Sequence, residues 1–159
     1  MYNHTPQGYN CPICLGINGI ESPETMIMQD DIFYRDELVM ALLNSKFVGN
    51  NPGHAIVVPI EHYENLYDLP EEVGNRIMKI AKQVALAIKH TRECEGIMIQ
   101  QNNEPASGQH AFHYHMHVFP RFTDDKLWEN QSNARVSNPE ERKQYSAALK
   151  KYFNKIEQI

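Results

Sequence analysis

Three histidines alternate in the run HYHMH, at positions 113, 115 and 117. In an extended strand successive side chains point to opposite faces, so the histidines share one face while the apolar residues between and beside them, from Phe112 to Val118, form the other. Neighbouring imidazoles disfavour one another's protonation, and a neutral imidazole has the lone pair that a nucleophile or a metal ligand needs. A lone histidine would more often be a solvent-facing residue of a half-buried strand. Three in strict alternation predict either a catalytic zinc site or a nucleophilic imidazole.

The surroundings of this run favour attack on a phosphate. A polar loop, NNEPASGQHA, precedes the histidines, and the backbone N–H groups around Ser107, Gly108 and Gln109 can approach an anion closely. Arg121, four residues after His117, is a candidate for stabilising negative charge.

Strand and helix signals alternate along the chain and predict an α+β fold with mainly antiparallel strands flanked by helices. One amphipathic helix is expected from Pro70 to about Cys94, with Gly96 as its stop, and a second begins at Asn138 and Pro139. The Cys-bearing segment near the N-terminus is expected to consist of turns. The runs expected to form strands are DIFYRD, LVMALLN, HAIVVPI, GIMIQQN and FHYHMHVFPRF.

Composition predicts a single globular domain spanning residues 1–159, since 42% of the residues are hydrophobic and 22% are charged. The net charge of -5 argues against broad binding of nucleic acid, so phosphate recognition should be local. The sequence shows no secretory signal and no long apolar run, so we expect no membrane association and a cytoplasmic location.

The pair Cys11-x-x-Cys14 has the spacing at which two thiolates reach one tetrahedral zinc ion. A redox pair and two incidental cysteines are the alternatives, and the spacing by itself does not decide among them. The third cysteine, Cys94, is expected to be a buried apolar residue.

The run SGQHAFHYHMHVFPRF resembles the signature of the histidine-triad family, in which Gly-Gln is followed after three residues by His-x-His-x-His. The resemblance continues upstream through ALLNSKF, PGHAIVVPIEHYENLYDL and the cysteine pair, and covers most of residues 11–122. Residues 123–159 then form a C-terminal extension with a helix. The family fold implied is a five-stranded, mainly antiparallel sheet with helices, usually assembled as a homodimer.

The resemblance implies transfer of a nucleoside monophosphate to histidine and then to water. His115 would be the nucleophile, with His117 and His54 as its catalytic neighbours. His110 stands where relatives commonly carry Ser or Thr, which changes the group that meets the leaving group. The residues expected to contact substrate are Asn44, Asn102, Ser107, Gly108, Gln109, His110, Ala111 and His117.

The resemblance also implies a structural zinc held by Cys11, Cys14, His62 and His113. The expected partner is a purine nucleotide, such as a dinucleoside polyphosphate or an adenosine phosphoramidate. Two other functions stay open: a zinc-stabilised nucleotide-binding or partner-docking protein with little catalysis, and a hydrolase whose zinc is bound by all three histidines of the run.

Overall fold

The computed structural model describes residues 2–156. Three helices and seven strands alternate along this part of the chain, and short 3-10 turns lie between some of them. In chain order they are α1 (Pro12–Ile17), β1 (Ile32–Arg35), β2 (Val39–Leu43), β3 (Lys46–Phe47), β4 (Ala55–Pro59), α2 (Glu71–Arg92), β5 (Gly96–Gln101), β6 (Met116–Arg121), β7 (Arg135–Val136) and α3 (Pro139–Ile156).

Five of the strands form one antiparallel sheet in the order β1-β2-β4-β6-β5. This confirms the predicted five-stranded sheet and the α+β class. The two-residue strands β3 and β7 form a separate antiparallel pair that the sequence did not predict. In the main sheet, β6 lies between β4 and β5, so that His117 has Ile56 on one side and Gln100 on the other.

Both faces of the sheet are covered, and this is why every residue of β2 and β4 is buried. Helices α2 and α3 cover one face, and the N-terminal segment, residues 2–28, covers the other. A fully buried aliphatic side chain contributes roughly 1.5–3 kcal/mol by leaving water. The side chains of β2 and β4 that face α2 and α3 are Val39, Ala41, Leu43, Ala55 and Val57. Those that face the N-terminal segment are Met40, Leu42, Ile56 and Val58.

The predicted two-faced character of the histidine run is confirmed. Tyr114, Met116 and Val118 belong to the core beneath the helices, whereas His117 lies on the face covered by the N-terminal segment. Ladder hydrogen bonds begin only at Met116, and Tyr114 instead donates its N–H to the Tyr63 carbonyl (2.6 Å). Phe112 departs from the expected core face, because its ring packs edge-to-face on Tyr9 with 5.5 Å between centroids.

Both predicted long helices are present. Helix α2 ends at Arg92, two residues before the predicted Cys94, because Glu93 takes a left-handed conformation (φ 50°), and Gly96 begins β5. Helix α3 starts where predicted, with the Asn138 side chain accepting a hydrogen bond from the Glu140 N–H (3.0 Å). In the described part of the chain, every helix is too short or too polar to cross a membrane.

The expectation of turns around the cysteine pair was wrong, because this segment forms the short helix α1. Cys11 is its N-cap, with the sulfur accepting from the Cys14 N–H (3.4 Å), and Pro12 occupies the first turn, where a missing N–H costs nothing.

A buried ion pair ties the C-terminal helix to the first strand. Arg142 of α3 donates to Asp31 at 2.7 Å, and both side chains are almost inaccessible to solvent, at 2% and 3%. Arg142 also donates to the carbonyls of Ser137 (2.7 Å) and Met26 (3.3 Å). Arg142 therefore holds α3, the approach to β1 and the N-terminal segment together.

Replacing Arg142 with Met should lower the free energy of unfolding by about 3–5 kcal/mol, because it leaves the Asp31 carboxylate buried without a partner. Urea unfolding would measure this. The matched control is Lys143→Ala, since Lys143 is exposed and its ion pairs lie at the surface. The double variant Asp31→Leu/Arg142→Met should be more stable than Arg142→Met alone, and equal losses in the Arg142 and Lys143 variants would contradict the assignment.

Candidate active site and metal centre

A cavity of about 440 Å³ opens on the face of the sheet that the N-terminal segment covers. Cavities of this size hold small-molecule ligands. The predicted site residues that line it are Asn44, Gly108, His110, Ala111, His115 and His117. The predicted residues that lie outside its lining are His54, Asn102, Ser107 and Gln109.

The half-buried His115 has a fixed tautomer. Its Nδ1 lies 2.7 Å from the carbonyl oxygen of His113, and because a carbonyl only accepts, the Nδ1 carries the proton. The lone pair is therefore on Nε2. Burial lowers the pKa of His115, the hydrogen bond to His113 raises it, and the nearby His110 lowers it. The Nε2 of His115 is thus a free nitrogen with the lone pair that a nucleophile needs.

His117 and His54 form a second pair of imidazoles behind His115. The His117 ring lies 4.9 Å from that of His115 and 5.3 Å from that of His54, centroid to centroid, and His54 stacks on Phe119 at 4.0 Å. Burial lowers the pKa of His54 to about 3 and that of His117 well below its usual value. The site is therefore built from neutral rings packed against an apolar wall.

Asn44 connects this pair to the cavity. Its Nδ2 donates to the His54 Nε2 (2.8 Å) and to the Lys46 carbonyl (3.1 Å). With both amide hydrogens used, the Oδ1 of Asn44 is the group that can accept a hydrogen bond from a ligand in the cavity.

The loop before the histidines is held by its own side chains. The buried Gln109 accepts from the Glu104 N–H and donates to the Glu64 carbonyl, both at 2.6 Å. Asn102 donates to the Ser107 carbonyl at 2.6 Å. Gly108 has a φ of 89°, which a residue with a side chain rarely adopts. Gln109, Asn102 and Ser107 thus position the loop, and their predicted contacts to substrate stay predictions.

The predicted metal ligands do converge. The side-chain donor atoms of Cys11, Cys14, His62 and His113 all lie within 4.8 Å of one another. The Nε2–H of His113 donates to the Pro59 carbonyl (3.0 Å), so that its Nδ1 lone pair faces the two sulfurs at 3.4 Å each. Burial lowers the pKa of His113 to about 4, which keeps the ring in the neutral form that binds metals. Two sulfurs and two nitrogens at this spacing can hold a metal ion, and they suit tetrahedral zinc.

The same geometry argues against a zinc ion bound by all three histidines. His115 and His117 are not in the cluster that could hold a metal. The Nδ1 of His115 is also occupied by the His113 carbonyl, whereas the Nδ1 of His113 faces the cysteines.

Arg121, the candidate for stabilising negative charge, pairs with a carboxylate outside the cavity. Its guanidinium pairs with Asp125 at 2.7 and 2.9 Å, and Asp125 in turn accepts from Asn51 (2.7 Å). Strand β6 keeps a regular register through Arg121, so this residue has the same parity as the histidines, but it does not line the cavity. Trp128 is also outside it and is 59% exposed.

One wall of the cavity was not predicted at all. Residues of the N-terminal segment and the β3 region close it, and no local motif in the sequence marks them as part of a site. They are Tyr9, Asn10, Pro12, Ile13, Glu24, Thr25, Met26, Ile27, Ser45 and Lys46.

Comparison with known proteins identifies the class to which this fold and site belong. The model of the HIT domain family matches residues 26–124, more than half of the chain. The chain is 34% identical over 113 residues to Protein hit of Bacillus subtilis, covering 71% of this chain and 72% of that protein. It is 29% identical over 128 residues to an adenylylsulfatase of Arabidopsis thaliana, covering 80% of this chain but 60% of that longer protein.

The fold is also similar to the crystal structure of a zinc-bound histidine triad family protein from Mycobacterium smegmatis. The TM-score is 0.73 at 24% identity, and the match covers 94% of this chain and 96% of that one. The chain belongs to the HIT domain family.

The buried state of His54 predicts a dependence of stability on pH. Its pKa in the folded chain is about 3, below the ordinary value of 6.5, so the unfolded chain binds more protons between these values and stability falls as the pH falls through this window. In His54→Gln the free energy of unfolding should fall less steeply on acidification, by up to about 1.4 kcal/mol per pH unit. Urea unfolding at a series of pH values measures the slope. His90→Gln, at an exposed position of α2, should keep the wild-type slope, and an unchanged slope in His54→Gln would refute the assignment.

Proposed function

We propose that this chain is a nucleotide hydrolase or transferase. His115 attacks the α-phosphorus of a nucleotide, forms a nucleotidyl-histidine intermediate and then passes the nucleoside monophosphate to water. The observation that carries the proposal is the tautomer of His115, whose Nδ1–H is held by the His113 carbonyl and whose lone pair is therefore on Nε2, in a ring that lines the cavity. His117 lies next to it in the cavity lining, where it can position the transferred phosphate, and the buried ring of His54 packs against His117.

The end of the loop supplies donors for the phosphate oxygens. The N–H groups of Gly108 and Gln109 already donate within the loop, to the carbonyls of Pro105 and Glu104. In the described part of the chain, the N–H groups of His110 and Ala111 have no such acceptor. Fixed donors of this kind stabilise the charge that develops on a phosphoryl group during transfer.

The remaining cavity wall suits a nucleoside. Leu42, Ile56 and Ile27 provide an apolar surface for a base, and the Oδ1 of Asn44 can accept from a ribose hydroxyl. Lys46, an exposed residue of the lining, supplies a positive charge for further phosphates.

The proposed substrates share a nucleotidyl group and differ in the group that leaves. They are dinucleoside polyphosphates, nucleoside phosphoramidates and, from the name of the Arabidopsis relative, adenylyl sulfate. One nucleophile serves all three, because each reaction begins with attack on the same α-phosphorus.

We propose that the metal in the Cys-His cluster is zinc and that its role is structural. The donor set and its spacing are those of closed four-ligand sites, and a relative with a similar fold has been crystallised with zinc bound. The ion would join α1, residue 62 and the start of the histidine run, which are far apart in sequence.

We also propose the homodimer that the family resemblance implies. Strand β5 is an edge of the five-stranded sheet, with Ile99 43% exposed on it, and an open edge can pair with a second chain.

Replacing His115 with Ala should abolish release of AMP from adenosine phosphoramidate and diadenosine tetraphosphate, because no other lone pair lies at the same place. Turnover is followed by chromatography, and mass spectrometry of the quenched wild type should detect the nucleotidyl adduct. His90→Ala is the matched control, since His90 is an exposed histidine of α2. Retained turnover in a folded His115→Ala protein would refute the proposal, and nucleotide binding without an adduct would favour a binding protein.

Replacing Cys14 with Ser should remove bound zinc and lower the unfolding temperature, because the metal stabilises only the folded chain. Metal analysis and thermal unfolding measure both effects. Cys94→Ala, a buried cysteine outside the cluster, should keep full zinc content. A chelator should lower the unfolding temperature without stopping turnover in protein that is still folded, whereas immediate loss of turnover would point to a catalytic metal.

A further inference from the structure

We propose that His110 is a catalytic residue of the same site, which protonates a basic leaving group and then takes a proton from the attacking water. The proposal rests on the proposed function and extends it to the choice of substrate. An enzyme with this residue should be a phosphoramidase, able to cleave a bond between phosphorus and an amine nitrogen.

The position of His110 supports this role. It lines the same cavity as His115 and His117, and it is close enough to His115 that its charge affects that residue. The ring is exposed, and in residues 2–156 neither ring nitrogen makes a hydrogen bond. The backbone before it is anchored by the buried Gln109. His110 therefore has an imidazole without a hydrogen-bond partner, on a backbone that is held in place.

No other titratable group of the cavity fills the role as well. His115 is the proposed nucleophile, and burial lowers the pKa of His117 well below its usual value, which disfavours the imidazolium form of that ring. Burial raises the pKa of Tyr9, which makes its hydroxyl a weaker acid, and that hydroxyl already accepts from the Phe112 N–H. The carboxylate of Glu24 is a poor proton donor near neutral pH, and the ammonium group of Lys46 gives up its proton less readily than an imidazolium. The titratable residues of the lining are Tyr9, Glu24, Lys46, His110, His115 and His117.

The bonds and protons of the proposed reaction balance with His115, His110, the phosphoramidate and water alone. The Nε2 lone pair of His115 forms a bond to the α-phosphorus as the bond from phosphorus to the amine nitrogen breaks. The electron pair of that bond goes to the amine, which takes a proton from the His110 imidazolium and leaves as a neutral amine. Water then attacks the phosphorus and displaces His115, while the neutral His110 accepts the proton of the water. AMP is released and His110 regains its proton for the next cycle.

The basicity of the leaving group determines how strongly the cleavage rate depends on His110. An amine anion is too basic to leave without a proton, whereas sulfate leaves as a weakly basic anion that needs none. Loss of His110 should therefore slow cleavage of a phosphoramidate and spare the first step with adenylyl sulfate.

The experiment compares AMP release from adenosine phosphoramidate and from adenylyl sulfate by the wild type, His110→Ala and the surface control His90→Ala. For adenylyl sulfate, formation of the nucleotidyl adduct is measured in a rapid-quench assay, because it reports the first step alone. In His110→Ala the phosphoramidate rate should fall roughly 10²–10⁴-fold, the usual range for a lost general acid or base, while adduct formation from adenylyl sulfate stays close to the wild-type rate. The adenylyl sulfate reaction also reports that the variant has folded.

Two results would overturn the role of His110 and leave the proposed function intact. They are equal losses with both substrates, and an unchanged phosphoramidate rate in His110→Ala. Failure of the wild type to form an adduct or release AMP from either substrate, and from diadenosine tetraphosphate as well, would instead overturn the proposed function, and the role of His110 with it.

Discussion

The buried imidazole of His113 connects the metal cluster to the proposed nucleophile. Its Nε2–H is fixed by the Pro59 carbonyl, so its Nδ1 must face the sulfurs of Cys11 and Cys14. The backbone carbonyl of the same residue accepts the Nδ1–H of His115 and so selects the tautomer with a free Nε2. A metal ion bound at Nδ1 would hold His113 in place and, through its carbonyl, the ring of His115, the proposed nucleophile. The three alternating histidines are therefore not equivalent.

The N-terminal segment completes both sites at once. Helix α1 brings Cys11 and Cys14 to His113, and the same stretch packs Ile13 and Ile27 against the even-numbered residues of β2 and β4. Its residues also form one wall of the cavity. Residues 3–5 bond to the buried side chains of Glu64 and Asn65, beside the carbonyl that anchors Gln109. The N-terminal segment, the Cys-His cluster and the loop before the histidines are thus linked through shared contacts.

The electrostatics of the cavity suit an anionic substrate in a chain of net charge -5. Burial lowers the pKa of both His54 and His117, so Lys46 is the cationic residue of the cavity lining whose charge does not depend on a histidine. Arg121 cannot contribute its charge because Asp125 holds it with two hydrogen bonds. Under the proposed function, positioned dipoles would stabilise the phosphate, and they cost little reorganisation during a reaction. The exposed imidazole of His110 is the group that can respond to the leaving group.

The sequence by itself determined the five strands of the main sheet and the two long helices, because alternation and helical spacing are local properties. The different roles proposed for His113, His115 and His117 came from the family resemblance. The family resemblance also implied the four candidate metal ligands, which lie together as expected. Only the tertiary structure decided that Arg121 pairs with Asp125, that the cysteine segment is helical and that the N-terminal segment closes the cavity. The tautomer of His115 likewise depends on which backbone carbonyl lies beside it. These features arise from contacts between residues distant in sequence or from the exact path of the chain, and no local pattern encodes them.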